Sequence, residues 1–259
     1  MTGSSPSLRA PSWLRQALDQ ARAAGLPERL PAIYQQLPAT TCQRRGDCCG
    51  LLPPAAPVEM LLFFDRLKEM SAGGRLALVV GLAQHFVRNA AERLACPWSR
   101  SDSCADYANR FFACRAYGLW SPEGYARRSQ GAREAQARVA RAWAELGVTL
   151  DPTVLAPGPD YCRATKYLAT APLDDQVLGE LEERLAGLTS GLEAAGELAA
   201  CGGDLSHLVA RITLGPAQCL ALKLAYTKAY LAGDHHQVGR VLKQVRLMAR
   251  DWVLEAIRR

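Results

Sequence analysis

The sequence predicts an all-α protein, a helical bundle that holds a cysteine-rich irregular region. Several long segments carry apolar residues at i, i+3 and i+4, the spacing of one helix face. Capping residues, Pro and Gly stand where many of these segments begin or end. No stretch alternates apolar and polar residues for long enough to indicate a strand.

The first half of the chain predicts four helices. Ser12 is predicted to cap a helix that runs to about Ala24 and stops at Gly25. A short helix over 27–37 leads to the first cysteines, and a helix over 57–70 is ended by the Ala-Gly-Gly of 72–74. A further helix over 75–94 is apolar enough to lie in the core.

The second half begins with an irregular stretch and returns to helices. Residues 95–120 mix Cys, Arg and aromatic residues without a helical period. Ser121 as N-cap and Pro122 at the first turn predict a helix that runs to Gly147, followed by a proline-rich loop over 148–164. Helices are then predicted over 174–188, 215–233 and 234–257, the last two as an antiparallel hairpin.

These elements divide the chain into three parts of one continuous domain. Residues 1–39 form N-terminal helices, 40–120 the cysteine-cluster region, and 121–259 a C-terminal helical region. A chain of 259 residues with 49% hydrophobic residues is long enough to bury a substantial core.

Composition favours a cytoplasmic protein and argues against a membrane or nucleic acid as partner. The net charge is +6, with 26 Arg and five Lys, but the arginines are scattered along helical segments rather than clustered. The first residues lack the apolar core of a secretory signal, and the longest apolar runs are far shorter than a membrane span.

Six of the nine cysteines lie in loops or short turns, and we predict that they bind metal. Clustered thiols in a reducing compartment bind metal more often than they form disulfides. Four thiolates satisfy either tetrahedral zinc or one 4Fe–4S cluster, and six exceed that number. An iron–sulfur cluster, 4Fe–4S favoured, is therefore the first choice of cofactor and zinc the alternative. The six predicted ligands are Cys42, Cys48, Cys49, Cys96, Cys104 and Cys114.

The other three cysteines have different surroundings. Cys201 and Cys219 lie in apolar helical segments and are predicted to be buried as small hydrophobic residues. Cys162 lies in a loop beside charged and aromatic residues, and its participation in the site stays open.

Arginines near the predicted ligands indicate charge compensation. Either centre, bound by four thiolates, carries a net negative charge, which needs cations or hydrogen-bond donors once it is buried. Arg45 lies inside the first cysteine segment, and Arg110 and Arg115 flank Cys114. Tyr107 belongs to a group of aromatic residues that would screen the site from solvent. The rival explanation is the arginine-rich composition of the whole chain.

The cysteine blocks resemble the YkgJ-type cysteine cluster family, described as a zinc- or iron-chelating domain. The resemblance rests on "CQRRGDCC", "CPW", "CADYANR" and "ACRAYG", between residues 42 and 118. It differs at Arg45, where the family usually has a second cysteine, and at Phe111, where it has proline. The resemblance implies metal chelation by the six cysteines and, through relatives of flagellin lysine N-methylase, a link to protein modification.

Three functional hypotheses stay open. The first is a redox or group-transfer enzyme, methyltransferase-like, that acts on a protein or a small molecule beside the metal. The second is a metal-binding module for sensing or delivery, and the third is a structural zinc site. No P-loop, dinucleotide fingerprint or Ser/His/Asp constellation indicates another chemistry. His85 is predicted to be a core or groove residue, since it falls in an apolar helix.

Overall fold

The computed structural model describes residues 11–41, 47–100, 103–156, 158–163, 165–168 and 173–257. The described residues are mostly helical and contain only short strands, which confirms the predicted all-α class. Its helices are α1 (Ser12–Ala23), α2 (Leu26–Tyr34), α3 (Pro57–Glu69), α4 (Ala72–Arg88), α5 (Phe112–Ala116), α6 (Pro122–Glu145), α7 (Asp175–Gly187), α8 (Ala195–Ala199), α9 (Leu205–Leu214), α10 (Pro216–Leu231) and α11 (His235–Ile257).

Short elements occupy the stretches between the helices. Strand β1 (Thr40–Thr41) pairs antiparallel with β4 (Lys166–Tyr167), which ties the loop after α6 to the start of the cysteine-rich region. Strand β2 (Ser99–Arg100) pairs antiparallel with β3 (Ser103–Cys104). Single 3-10 turns span Asp47–Cys49 and Tyr107–Asn109.

Helix starts follow the predictions in part. Ser121 caps α6 as expected, since its hydroxyl accepts a hydrogen bond from the Gly124 amide at 2.9 Å. Ser12, by contrast, is the first residue of α1 and makes no capping bond, because Pro11 takes the cap position.

Helix α4 begins earlier and ends earlier than predicted. The hydroxyl of Ser71 accepts a hydrogen bond from the amide of Gly74 at 3.2 Å, so the Ala-Gly-Gly sequence opens α4. The helix ends at Arg88 instead of 94. The capping serine outweighs the two helix-breaking glycines.

The hydrophobic core is continuous from α1 to α11. Helix α4 is at its centre and packs against α9, α10 and α11. Helix α3 packs against α1, α2, α7 and α8, and its residues 58–64 are all buried. Each such aliphatic or aromatic side chain stabilises the fold by about 1.5–3 kcal/mol relative to exposure. The two long core helices α3 and α4 thus frame the cysteine-rich segment.

Aromatic contacts fasten that segment to α3. The Trp98 ring meets the ring of Phe63 edge-on at 6.1 Å and that of Phe111 at 5.9 Å between centroids. Such edge-to-face pairs are worth about 0.5–1.5 kcal/mol beyond the area they bury. The loop that contains Cys96 and Cys104 is therefore anchored to the core.

Among the described residues, no single helix is long and apolar enough to span a membrane. Helices α9 and α10 together are long and apolar enough for a span, but the chain bends by 112° between them.

Candidate metal centre and the cavities around it

Five of the six predicted ligands lie on elements that meet around the cysteine-rich segment. Two of them, Cys48 and Cys49, lie in the first 3-10 turn, with their sulfur atoms 4.0 Å apart. The amide of Cys96 donates to the carbonyl of Cys49 at 2.8 Å, so the loop after α4 runs beside this turn. Cys104 ends strand β3 and Cys114 lies in α5.

Two further predictions, Cys42 and Arg45, lie outside the described residues. Their contribution to the site stays a prediction.

The thiols are close enough to influence one another's ionisation. Burial, together with the charges of Cys49 and Cys104, raises the pKa of Cys96 to about 11. Burial also raises the pKa of Cys114, with additional contributions from Cys96, Cys48 and Cys104. The fold thus brings together residues that are up to 66 positions apart in the sequence.

The described residues contain no group of three or more His, Cys, Asp or Glu side chains arranged to hold a metal ion. The five thiols converge without forming a ligand shell, and the sixth predicted ligand is outside that part of the chain. The donor set itself is suitable, because soft thiolates are the preferred ligands of zinc and iron–sulfur clusters.

The side chain of Arg110 lies close enough to two of the thiols to affect their ionisation. It lowers the pKa of Cys104 and of Cys114, against the larger effect of burial. Its guanidinium stacks on the Tyr107 ring at 3.6 Å from the centroid, and its Nε donates to the Tyr107 carbonyl at 3.1 Å. Tyr107 therefore holds the Arg110 guanidinium in place.

The side chain of Arg115 donates hydrogen bonds to the backbone near the cysteines. Its Nε donates to the Arg110 carbonyl at 2.7 Å, and Nη2 donates to the Ala108 carbonyl at 2.5 Å. The guanidinium also stacks over the Tyr34 ring at 4.3 Å. Burial lowers the pKa of Arg115. This residue links the second 3-10 turn to α2.

A buried carboxylate that sequence reasoning missed organises the same region. Glu59 is only 3% exposed and accepts hydrogen bonds from the Ala56 amide at 2.7 Å, the Phe112 amide at 2.5 Å and the Tyr34 hydroxyl. It therefore joins the N-terminal ends of α3 and α5 to α2. Burial raises the pKa of Glu59, while these three donors lower it. Helix α5 contains Cys114, so Glu59 positions a predicted ligand.

A cavity of about 330 Å³ opens beside two of the thiols, Cys48 and Cys114. Its other walls come from residues 51–54, from α5 and α6, and from Gly158 and Pro159. The hydroxyl of Tyr117 donates to the Asp160 carbonyl at 2.5 Å, and that of Tyr125 donates to the Pro159 carbonyl. These tyrosines hold the loop that forms one edge of the cavity.

The remaining cysteines make local contacts. Cys201 and Cys219 are buried, and their thiols donate to the carbonyls of Glu197 and Pro216. Cys162 lies 3.3 Å from the Thr165 hydroxyl, sulfur to oxygen, in a loop that packs against Gly118. Gly118 has a φ of +82° and would place a Cβ 2.5 Å from that hydroxyl, so the close approach requires glycine.

Comparisons with protein-family models, with curated proteins and with solved structures found no match to this chain. The resemblance to the YkgJ-type family therefore rests on residue types and spacing alone. The functional argument depends on the geometry described above.

Proposed function

We propose that the chain binds an iron–sulfur cluster, 4Fe–4S favoured, through thiols of its cysteine cluster, with zinc as the alternative metal. The observation that supports this most is the convergence of five cysteines from four separate segments. Neighbouring free thiols are open to oxidation, so their convergence favours a shared task such as metal ligation. Cys42 would complete the set of six.

The surrounding groups suit an anionic metal centre. Arg110 supplies a positive charge that favours thiolate, and Tyr107 fixes its orientation. The core contacts of Trp98 and the hydrogen bonds of Glu59 limit the movement of the loops. Such surrounding contacts orient the ligands of a metal site and tune its properties.

The cavity beside Cys48 and Cys114 favours a catalytic centre over a purely structural one. A structural zinc site is closed by four protein ligands, whereas a catalytic site keeps an open position next to a pocket. We therefore propose redox or group-transfer chemistry at this cavity, on a small molecule or on a side chain of a protein substrate. A delivery or sensing module with an exposed metal is the alternative.

Metal retention by serine variants tests the assignment of ligands. We expect Cys114→Ser and Cys96→Ser to lower the metal content, because each removes a converging thiol. Cys219→Ser is the matched control, since that buried thiol donates to a backbone carbonyl instead. Loss of metal from Cys219→Ser, or full retention in both cluster variants, contradicts the assignment.

The rate at which a chelator removes the metal distinguishes a metal centre that is open to the cavity from a closed one. Ala132 lines the cavity on α6, whereas Ala126 is exposed on the same helix. If the metal is reached through the cavity, Ala132→Trp slows its removal by a chelator at least tenfold and Ala126→Trp does not. Equal chelation rates in wild type and both variants contradict an open position at this cavity.

A further inference from the structure

A second, larger cavity lies beside the segments that contain Cys96 and Cys104. Its volume is about 730 Å³, and it is bounded by α3, one face of α4 and parts of the segments 94–100 and 105–109. Pockets that bind small organic ligands have volumes of roughly 300–1,000 Å³. Pro97 and Ala105 line it directly after Cys96 and Cys104, so an occupant would touch the backbone beside two predicted ligands.

The α4 face of this cavity is open because its residues are small. Gly74, Ala77 and Gly81 follow one another at helical spacing along the wall. A Cβ built on Gly81 would meet nothing within 4 Å, so the helix leaves open space there. A glycine in a helix interior costs about 0.5–1 kcal/mol relative to alanine, and no packing contact accounts for it at this position.

His85 continues the same face and is an unpaired polar group. The residue is 9% exposed, and neither ring nitrogen has a hydrogen-bond partner among the residues that the structure describes. Burial lowers the pKa of His85, and the charges of Lys223 and Arg88 lower it further, against the raising effects of the Asp204 carboxylate and the Leu94 carbonyl. The neutral ring therefore offers one donor and one acceptor. Buried polar groups in folded proteins are nearly always paired, so a partner from the cavity would explain His85.

The cavity also contains a cation that is held loosely. Arg66 lies 3.3 Å from the Asn109 carbonyl and 3.5 Å from the Asp106 carboxylate, longer than the usual charge-assisted bond of about 2.7–2.9 Å. Arg88, three residues after His85, also lines the cavity but is paired with the Glu92 carboxylate through two hydrogen bonds of 2.8 Å, so Arg66 is the cation left for an anionic ligand. The apolar side chains that line the cavity include Phe63 and Trp98.

We propose that this cavity binds a small organic acid with an aromatic or branched apolar body. The carboxylate pairs with Arg66, the apolar body lies against Phe63 and Trp98, and a second polar group pairs with His85. The inference is independent of the metal, because ligand binding and metal content are measured separately. A chain that holds metal and fails to bind the acid overturns this inference alone.

The test uses 3-(4-hydroxyphenyl)propionate as the probe and calorimetric titration of the full chain as the measurement. We expect saturable binding to the wild type and at least tenfold weaker binding of the corresponding amide, which lacks the negative charge. Gly81→Leu should abolish binding by filling the cavity. Gly239→Leu makes the same change in α11, where a Cβ also meets nothing within 4 Å, and should leave affinity unchanged.

The role of His85 is tested by comparing ligands with and without a hydroxyl group. His85→Phe should weaken binding of the hydroxylated probe at least fivefold and leave binding of 3-phenylpropionate unchanged, a difference that general loss of structure would not produce. Absence of saturable wild-type binding at millimolar probe overturns the proposal. So does equal binding of acid and amide, or binding that survives in Gly81→Leu.

Discussion

Replacement of Glu59 by glutamine tests how the cysteine-rich region is held to the helices. The carboxylate accepts three hydrogen bonds, from two backbone amides and one phenol. Glutamine keeps the size of the side chain but offers one acceptor oxygen, and its amide group must face at least one of these donors. A buried donor is therefore left without an acceptor.

The magnitude follows from the number and type of bonds lost. A hydrogen bond to a charged group contributes about 1.5–3 kcal/mol, and an unsatisfied buried donor costs about 1–3 kcal/mol. Burial raises the pKa of Glu59 despite its three donors, so removal of the charge offsets part of the loss. We expect Glu59→Gln to lower the free energy of unfolding by about 2–3 kcal/mol.

Urea denaturation measures this change, and hydrogen exchange locates it. The Phe112 amide, which donates to Glu59, should exchange faster in Glu59→Gln because α5 loses its anchor. Glu69→Gln is the matched control, since Glu69 is exposed on the same helix. Tyr34→Phe removes only the phenol donor and should cost about 1 kcal/mol.

The reasoning is refuted if Glu59→Gln and Glu69→Gln unfold at the same urea concentration. It is also refuted if the exchange of the Phe112 amide is unchanged. Either result would mean that α5 is held by its apolar contacts alone.

Three further variants test other parts of the account. Gly124→Ala should lower the melting temperature, because the new Cβ would lie 2.1 Å from the Asp175 carboxylate that binds the start of α6. Gly131→Ala is the control: a Cβ there meets open space, so the melting temperature should stay unchanged or rise. Burial lowers the pKa of Lys223 to about 8, so the unfolded chain binds more protons between about pH 8 and 10.5, and stability gains with rising pH there. Lys223→Met should remove about 2–3 kcal/mol of that gain in denaturant titrations across this window, and an identical pH profile would contradict the burial of the ammonium. Arg110→Gln should retain the metal but lower its reduction potential, because a cation that favours the more negative state is lost; an unchanged potential would show that Arg110 does not compensate its charge.

Local signals predicted the longer helices well, because periodicity and capping depend on nearby residues. The short helix α5 was missed, since residues 95–120 were predicted to be irregular. Ser121 and Pro122 predicted the start of α6, and its end at Glu145 is two residues from the predicted Gly147. The start of α4 was missed because Ala-Gly-Gly was interpreted as a stop, although Ser71 caps it.

Long-range contacts could not be predicted in the same way. Glu59 follows Pro57 at the start of α3, which is compatible with a capping role, but its bond to the Phe112 amide joins residues 53 positions apart. The clustering of the thiols was predicted from their types and loop locations, whereas the two cavities depend on helix packing. His85 was predicted as a core or groove residue, and both terms describe it, since it is buried and lines a cavity.

The metal content of protein purified without oxygen tests the central claim most directly. The account predicts brown protein with iron and acid-labile sulfide at about four each per chain, and visible absorbance that bleaches on reduction. Colourless protein with about one zinc per chain and no sulfide would contradict the iron–sulfur assignment. Metal-free protein whose cluster thiols all react with a thiol reagent would contradict a metal centre altogether.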